Sequence, residues 1–226
     1  MYKSNLHQIS EGLRQSGIDI PSLGPDVPRF LVQLWRRLAE GHPISLPQVE
    51  QIIAAHHISS DVLSQLRAGL EFDPEGNIVG AVGLSLNPSS YHFRVNGQTL
   101  STWCAWDALF IPPFLDQTAE VEAACPVTQQ PVRMTIAPGS VTHYEPASAV
   151  VSIIVPQPAT ISGAKSAEEV WVAFCNHVHF FTSPEAARKW FSGRGYDPVL
   201  LSIEEGYELG RLRFEAMSVM AEERPR

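Results

Sequence analysis

Two cysteines, one carboxylate and a pair of histidines hold the chemistry this sequence can do. They fall in Trp103-Cys104-Ala105-Trp106-Asp107 and in Phe174-Cys175-Asn176-His177-Val178-His179-Phe180. The chain has three cysteines in all, and thiolates are soft ligands suited to soft, polarisable metals. A Cys-x-x-Asp segment with a distant second Cys supplies two such ligands and one proton carrier. Those are the parts needed to bind a thiophilic metal and break a bond to it.

Ser101-Thr102-Trp103-Cys104 reads as a helix start, with Ser101 or Thr102 as N-cap and Pro112-Pro113 forcing the end. Cys104 then lies in the first turn, where unpaired N–H groups and the helix dipole favour a thiolate. An unperturbed thiol near pKa 8.5 is only about 3% thiolate at pH 7, so this placement matters. Asp107, three residues on, shares the helix face. An ordinary aspartate is protonated about one part in a thousand at pH 7. It donates a proton only if burial raises its pKa or a neighbouring thiol hands one over. Each residue also has a bland reading: a buried free cysteine is a small hydrophobe, and a first-turn aspartate complements the dipole.

Val170 to Phe181 reads as a strand, whose alternation puts Cys175, His177 and His179 on one face. Cys-x-His-x-His could hold zinc with Cys104 completing the shell, although it lacks the close paired spacing of structural zinc sites. Histidines in an apolar strand are more often hydrogen-bonded core residues. Cys-His hydrolysis through Cys104 and His177 or His179 is a further option, without a Gly-rich oxyanion loop to support it. Cys125, before Pro126 in a turn-like stretch, reads as structural. No P-loop and no G-x-G-x-x-G occurs.

The elements that position these residues form an α+β chain. Its 226 residues, 44% apolar and 18% charged, describe an ordinary globular protein with a sizeable core. A formal net charge of −8 argues against general affinity for nucleic acid. The first residues carry no apolar signal segment, and the most apolar run, Ala147 to Val155, is too short to span a bilayer. Free thiols and no export signal point to a cytoplasmic protein, with a monomer as default.

Residues 1–28 form an N-terminal extension that ends in a Pro/Gly-rich loop. Residues 29–87 read as three helices and a hairpin, a winged-helix-like domain. The helices are Phe30 to Glu40, a proline-started helix to about Ala55, and Asp61 to Leu70. Arg67 is the only Lys or Arg between Ser45 and Ser90, so a packing role is favoured over DNA reading. Residues 88–226 read as a mixed, mainly antiparallel sheet with helices. Tyr91 to Val95 runs into an Asn96-Gly97 hairpin, and further strands are expected at Val121 to Cys125, Val132 to Ile136 and Ala149 to Val155. A helix follows Ser183, and Ile203 to Met220 closes the chain, with a break expected at Gly206 or Gly210.

The run Leu100 to Pro112, with Trp103-Cys104-Ala105-Trp106-Asp107 inside it, resembles the active-site helix of the organomercurial lyase (alkylmercury lyase) family. Phe174 to Phe181 is similar to that family's second signature, and Cys125 aligns in order between them. The likeness covers roughly Pro28 to Leu212, including Asp73 to Gly83, and leaves residues 1–28 unmatched. It implies an enzyme that cleaves the carbon–mercury bond of alkyl- and arylmercury compounds. Mercury would be held by Cys104 and Cys175, with Asp107 as proton carrier and Cys125 structural.

Some relatives carry a further cysteine where this chain has Asn176. No resident cofactor is implied; external thiols are needed, and a mercuric reductase or cellular thiols would take Hg(II). A two-coordinate mercury requires the two sulfurs within about 5 Å of each other, twice a soft metal–sulfur bond of ~2.3 Å. The alternative is a non-catalytic soft-metal carrier or sensor on the same fold, for which Asp107 would be superfluous.

Overall fold

The computed structural model describes residues 6–222. Helices come first: α1 (Leu6–Ser16), a 3-10 turn (Ile20–Leu23), α2 (Val27–Leu38), α3 (Leu46–Ala55), α4 (Val62–Leu66) and a second 3-10 turn (Arg67–Gly69). In α2 the apolar set Phe30, Leu31, Leu34, Trp35 and Leu38 is fully buried, as its helical spacing requires. Ser45 and Gln48 close a capping box on α3, with proline in the first turn.

Strands β1 (Leu70–Phe72), β2 (Ile78–Ala81), β3 (Leu84–Ser85), β4 (Tyr91–Val95) and β5 (Gln98–Thr102) lead into the central helix α5 (Ala105–Leu115). Strands β6 (Ala119–Ala124), β7 (Pro131–Ala137), β8 (Ser140–Glu145) and β9 (Val150–Ile153) follow. The chain then runs through α6 (Ala167–Ala173), a 3-10 turn (Cys175–His177), β10 (Phe180–Phe181), α7 (Pro184–Phe191), β11 (Val199–Ser202) and α8 (Ile203–Glu222).

The first eight strands make one antiparallel sheet in the order β1-β2-β3-β5-β4-β6-β7-β8; a smaller antiparallel sheet has the order β10-β9-β11. The mixed α+β class with antiparallel sheets is as expected. The β4–β5 hairpin turns on Asn96 and Gly97, both at positive φ, the twist a two-residue hairpin needs. Helix α5 is apolar on every side, so it is buried between the large sheet, β9 and α8.

Several local expectations fail for identifiable reasons. Only Phe180–Phe181 of the expected Val170 to Phe181 strand is extended, as β10. Ser166 caps a helix there by accepting from the Glu169 N–H, and Glu168 and Glu169 favour its first turn, so the apolar stretch winds into α6. Pro112 and Pro113 do not end α5, which runs on to Leu115 and closes through Asp116 in the left-handed conformation.

The closing helix is unbroken. A Cβ at Gly206 would meet Val151 and Leu109 at 2.7 and 2.8 Å, so the glycine there serves close packing. Helix α1 lies in the extension, for which the sequence set no particular element; it buries Ile9 and Leu13 and packs on α8. Strands β8 and β11 were not anticipated.

Candidate active site

Helix α5 starts one residue after Cys104, which is itself the N-cap, in extended conformation. Ser101 and Thr102 instead end β5, and the Thr102 hydroxyl donates to the Cys104 carbonyl at 2.9 Å. The Cys104 N–H donates to Asp107 Oδ2 at 2.9 Å, while the Asp107 N–H turns back toward the Cys104 sulfur. This is a capping box with a thiol in the usual hydroxyl position. It fixes the cysteine and the carboxylate of Cys-x-x-Asp against each other.

Cys175 reaches the same place on the short turn between α6 and β10. One ligand atom from each of Cys104, Asp107 and Cys175 lies within 4.8 Å of the others, and all three residues are buried. A two-coordinate soft metal with bonds of about 2.3 Å would span such a gap between sulfurs.

The two segments are joined behind the sulfurs through Val178. Its carbonyl accepts the Ala105 N–H at 3.2 Å and the Tyr91 hydroxyl at 3.1 Å. Tyr91 Oη also lies 2.6 Å from His179 Nδ1.

Burial dominates the electrostatics. The Cys104 thiol is pushed well above its ordinary range by burial first, then by contact with Cys175 and the charge of Asp107. The start of α5 therefore does not yield the expected resting thiolate: desolvation outweighs the helix terminus. At Cys175, contact with Cys104 pulls downward, but burial and the Asp107 charge leave the thiol raised. Burial lifts the Asp107 carboxyl from 3.8 to about 7, against hydrogen bonds from Cys104 that favour the carboxylate. Burial thus favours the neutral form of all three groups, both thiols and the acid.

A cavity of about 390 Å³ opens onto this group. Asp107 and Cys175 form part of its lining, with Trp103, Trp106, Phe110, Phe174 and Phe214 as apolar walls. Trp106 is anchored by its indole N–H to the Gly206 carbonyl at 3.0 Å, and its ring packs on Phe110, Phe174 and Phe214. Gly83 closes one side at φ +93°; a Cβ there would sit 2.6 Å from the Asp107 carboxyl carbon. Gly17 to Ile20 and Leu23, from the N-terminal extension, also line the cavity.

Among the described residues, the one converging group of metal-ligating side chains is Cys104, Asp107 and Cys175. His177 and His179 do not join it, so the zinc arrangement has no geometric support. His177 packs on the Tyr196 ring with centroids 4.0 Å apart, and His179 bonds Tyr91. Cys125 lies in a separate apolar cluster with Val150, Phe181, Ala186, Ala187 and Phe191. Burial pushes its thiol up, but hydrogen bonds from Thr128 and from backbone N–H groups outweigh that and hold it at about 7. Sequence reading missed Tyr91, Phe174, Phe214 and the Gly17 to Leu23 segment as site components. Leu6, Ile9 and Leu13 at helical spacing were the available sign that the extension folds onto the core.

The family profile described as MerB, alkylmercury lyase, matches residues 84–215. An alkylmercury lyase from Streptomyces lividans is 41% identical over 191 residues, covering 81% of this chain and 83% of that protein. One from Bacillus cereus is 39% identical over 179 residues, covering 79% and 78%. A crystal structure titled the mercury-bound form of MerB2 shares the fold, with a TM-score of 0.66 over 93% of this chain and 98% of that one at 22% identity. With Cys104, Asp107 and Cys175 inside the matched region, the chain belongs to the alkylmercury lyase family.

Proposed function

We propose that this protein is an organomercurial lyase that splits the carbon–mercury bond by protonolysis, with Cys104 and Cys175 as mercury ligands and Asp107 as proton carrier. The observation that carries the reading is the buried convergence of two sulfurs and one carboxyl within 4.8 Å. Its chemistry balances as follows. An organomercurial enters as a thiol adduct, R–Hg–SR′. One cysteine sulfur bonds mercury, its proton passes to the Asp107 carboxylate, and R′S⁻ leaves. The second thiol then adds, its proton going to the departing thiolate, and raises electron density on mercury and on the attached carbon. Asp107 delivers its proton to that carbon; R–H leaves, and Hg²⁺ stays on two thiolates.

An acid held at about 7 can play both parts of this relay near neutrality. Holding the proton beside a carbanion-like carbon is a proximity effect worth several kcal/mol on the order of magnitude. The aromatic walls keep water from competing. No resident cofactor enters the scheme, since mercury arrives with the substrate and external thiols carry it away. Hand-off of Hg(II) to cellular thiols or a mercuric reductase completes the role of a cytoplasmic monomer.

No described helix is long and apolar enough to cross a membrane. The division into an extension (1–28), a winged-helix-like part (29–87) and a catalytic part (88–226) is a division of labour. The first two parts wall the cavity, and nucleic acid is not a partner for a chain of net charge −8.

The test is incubation with methylmercury and excess thiol, measuring methane and inorganic mercury. Cys104→Ser, Cys175→Ser and Asp107→Ala each lose turnover, whereas Cys125→Ser lowers the yield of folded protein. Full activity in either of the first two variants ends the two-sulfur scheme.

A further inference from the structure

We propose that Arg67 and Lys165 form a subsite for the anionic end of the carrier thiol, so that methylmercury bound to a carboxylate-bearing thiol is taken up in preference to a neutral adduct. The proposal rests on the lyase reading and adds to it the class of adduct the protein accepts.

Both residues line the cavity that holds Asp107 and Cys175, and both side chains are exposed, which puts them at its mouth. Neither is in an ion pair with a described residue, although Arg14, Arg29, Arg37, Arg94, Arg133, Arg188, Arg211 and Arg213 all are. Asp19, another lining residue, is already paired with Arg213 at 2.6 Å. Two cations with no ion partner among the described residues therefore face a cavity in a protein whose net charge of −8 repels anions at a distance.

The supports of the two cations are well fixed. Arg67 starts the 3-10 turn whose last residue, Gly69, accepts the Val82 N–H at 2.7 Å. That bond ties it to the Val82-Gly83 turn packed on Asp107. The Lys165 N–H donates to Glu169 Oε2 at 2.8 Å, holding it against the start of α6, which leads to Cys175.

The chemistry supplies the ligand. When a cysteine sulfur bonds mercury and the carrier's Hg–S bond breaks, the electron pair leaves on the carrier sulfur. The carrier's far end cannot follow mercury into aromatic walls and stays at the mouth, within reach of long cationic side chains. Ser64, Gln65 and Ser162 on the same lining offer further hydrogen-bonding groups to a carboxylate. Exposed charge pairs are weak, so the expected effect is about threefold per cation at low ionic strength, fading with salt.

The experiment compares methylmercury adducts of 3-mercaptopropionate, 2-mercaptoethanol and cysteamine, reading carrier-thiol release and methane release separately. Wild type takes the anionic adduct about tenfold faster than the neutral one, and the cationic one slower still, at low ionic strength. The Arg67→Glu/Lys165→Glu double variant reverses that order. Lys189→Glu on α7, outside the cavity, makes a like-signed change in net charge and keeps the wild-type order. An unchanged order in the double variant, or an equal change in Lys189→Glu, overturns the subsite. Selective thiol release without methane would overturn the lyase reading and leave the subsite standing.

Discussion

Cys104 and Asp107 cap each other: the Cys104 N–H donates to Asp107 Oδ2 at 2.9 Å, and the Asp107 N–H faces the Cys104 sulfur. The bond that fixes the helix start thus also fixes the proposed acid beside the proposed ligand. Serine is a better N-cap than cysteine, whereas alanine caps poorly, at a cost of about 0.5–2 kcal/mol. Cys104→Ser should therefore unfold at or above the wild-type temperature while releasing no methane; Cys104→Ala should lose both stability and turnover. Thermal melts beside methane assays separate the two roles. A Cys104→Ser protein that turns over normally would leave the sulfur only a capping role.

The raised carboxyl at position 107 carries a stability signature of definite sign. Its folded value, about 7, lies above its ordinary 3.8, so the folded state binds the proton more tightly than the unfolded chain. The associated stability is full below pH 3.8 and is lost as pH rises through 7. At about 1.4 kcal/mol per pH unit, the loss has a ceiling of about 4 kcal/mol. Asp107→Asn, which cannot ionise, should gain stability relative to wild type between pH 5 and 8 while ceasing to release hydrocarbon. Denaturant titrations across that range check it; a constant difference would mean the carboxyl titrates normally.

Gly83 is where backbone conformation and site meet. Its φ of +93° favours glycine, and a methyl group would sit 2.6 Å from the Asp107 carboxyl carbon. Gly83→Ala should cost about 1–3 kcal/mol in strain and cut kcat far more than a matched stability loss elsewhere, because the acid must shift. Val62→Ala, in the α4 core, is the comparison at similar stability. Equal residual activity in the two variants would mean Gly83 matters only for folding.

Much of this site is written in local patterns, and the rest is not. Cys104 and Asp107 were readable because their relationship spans three residues and is set by a helix start. Cys175 was readable as a ligand but not as part of a turn: the apolar, β-branched stretch before it imitates a strand, and only Ser166 with Glu168 and Glu169 betrays the helix. The raised acid depends on burial under residues as remote as Gly83, which no local spacing encodes. Gly206 and Gly210 look like helix breaks in one dimension and prove to be packing surfaces for Leu109, Val151 and Phe110 in three. Thiol protonation went the opposite way from the dipole rule because complete burial, a tertiary property, outweighs a helix end.

Tyr91 shows how the two sulfurs are held in register. Its hydroxyl reaches both the Val178 carbonyl, at 3.1 Å, and His179 Nδ1, at 2.6 Å, while the same carbonyl accepts from Ala105 beside Cys104. Burial holds the His179 imidazole at about 4, so it is neutral at pH 7, and its Nε2 has no partner among the described residues. Tyr91→Phe would leave Nδ1 without a partner too, at a cost of about 1–3 kcal/mol. If the bridge sets the spacing of Cys104 and Cys175, the variant should bind Hg(II) about tenfold more weakly and lose its two-thiolate absorption in proportion. A lower melting temperature with unchanged mercury affinity and turnover would reduce Tyr91 to a scaffold residue.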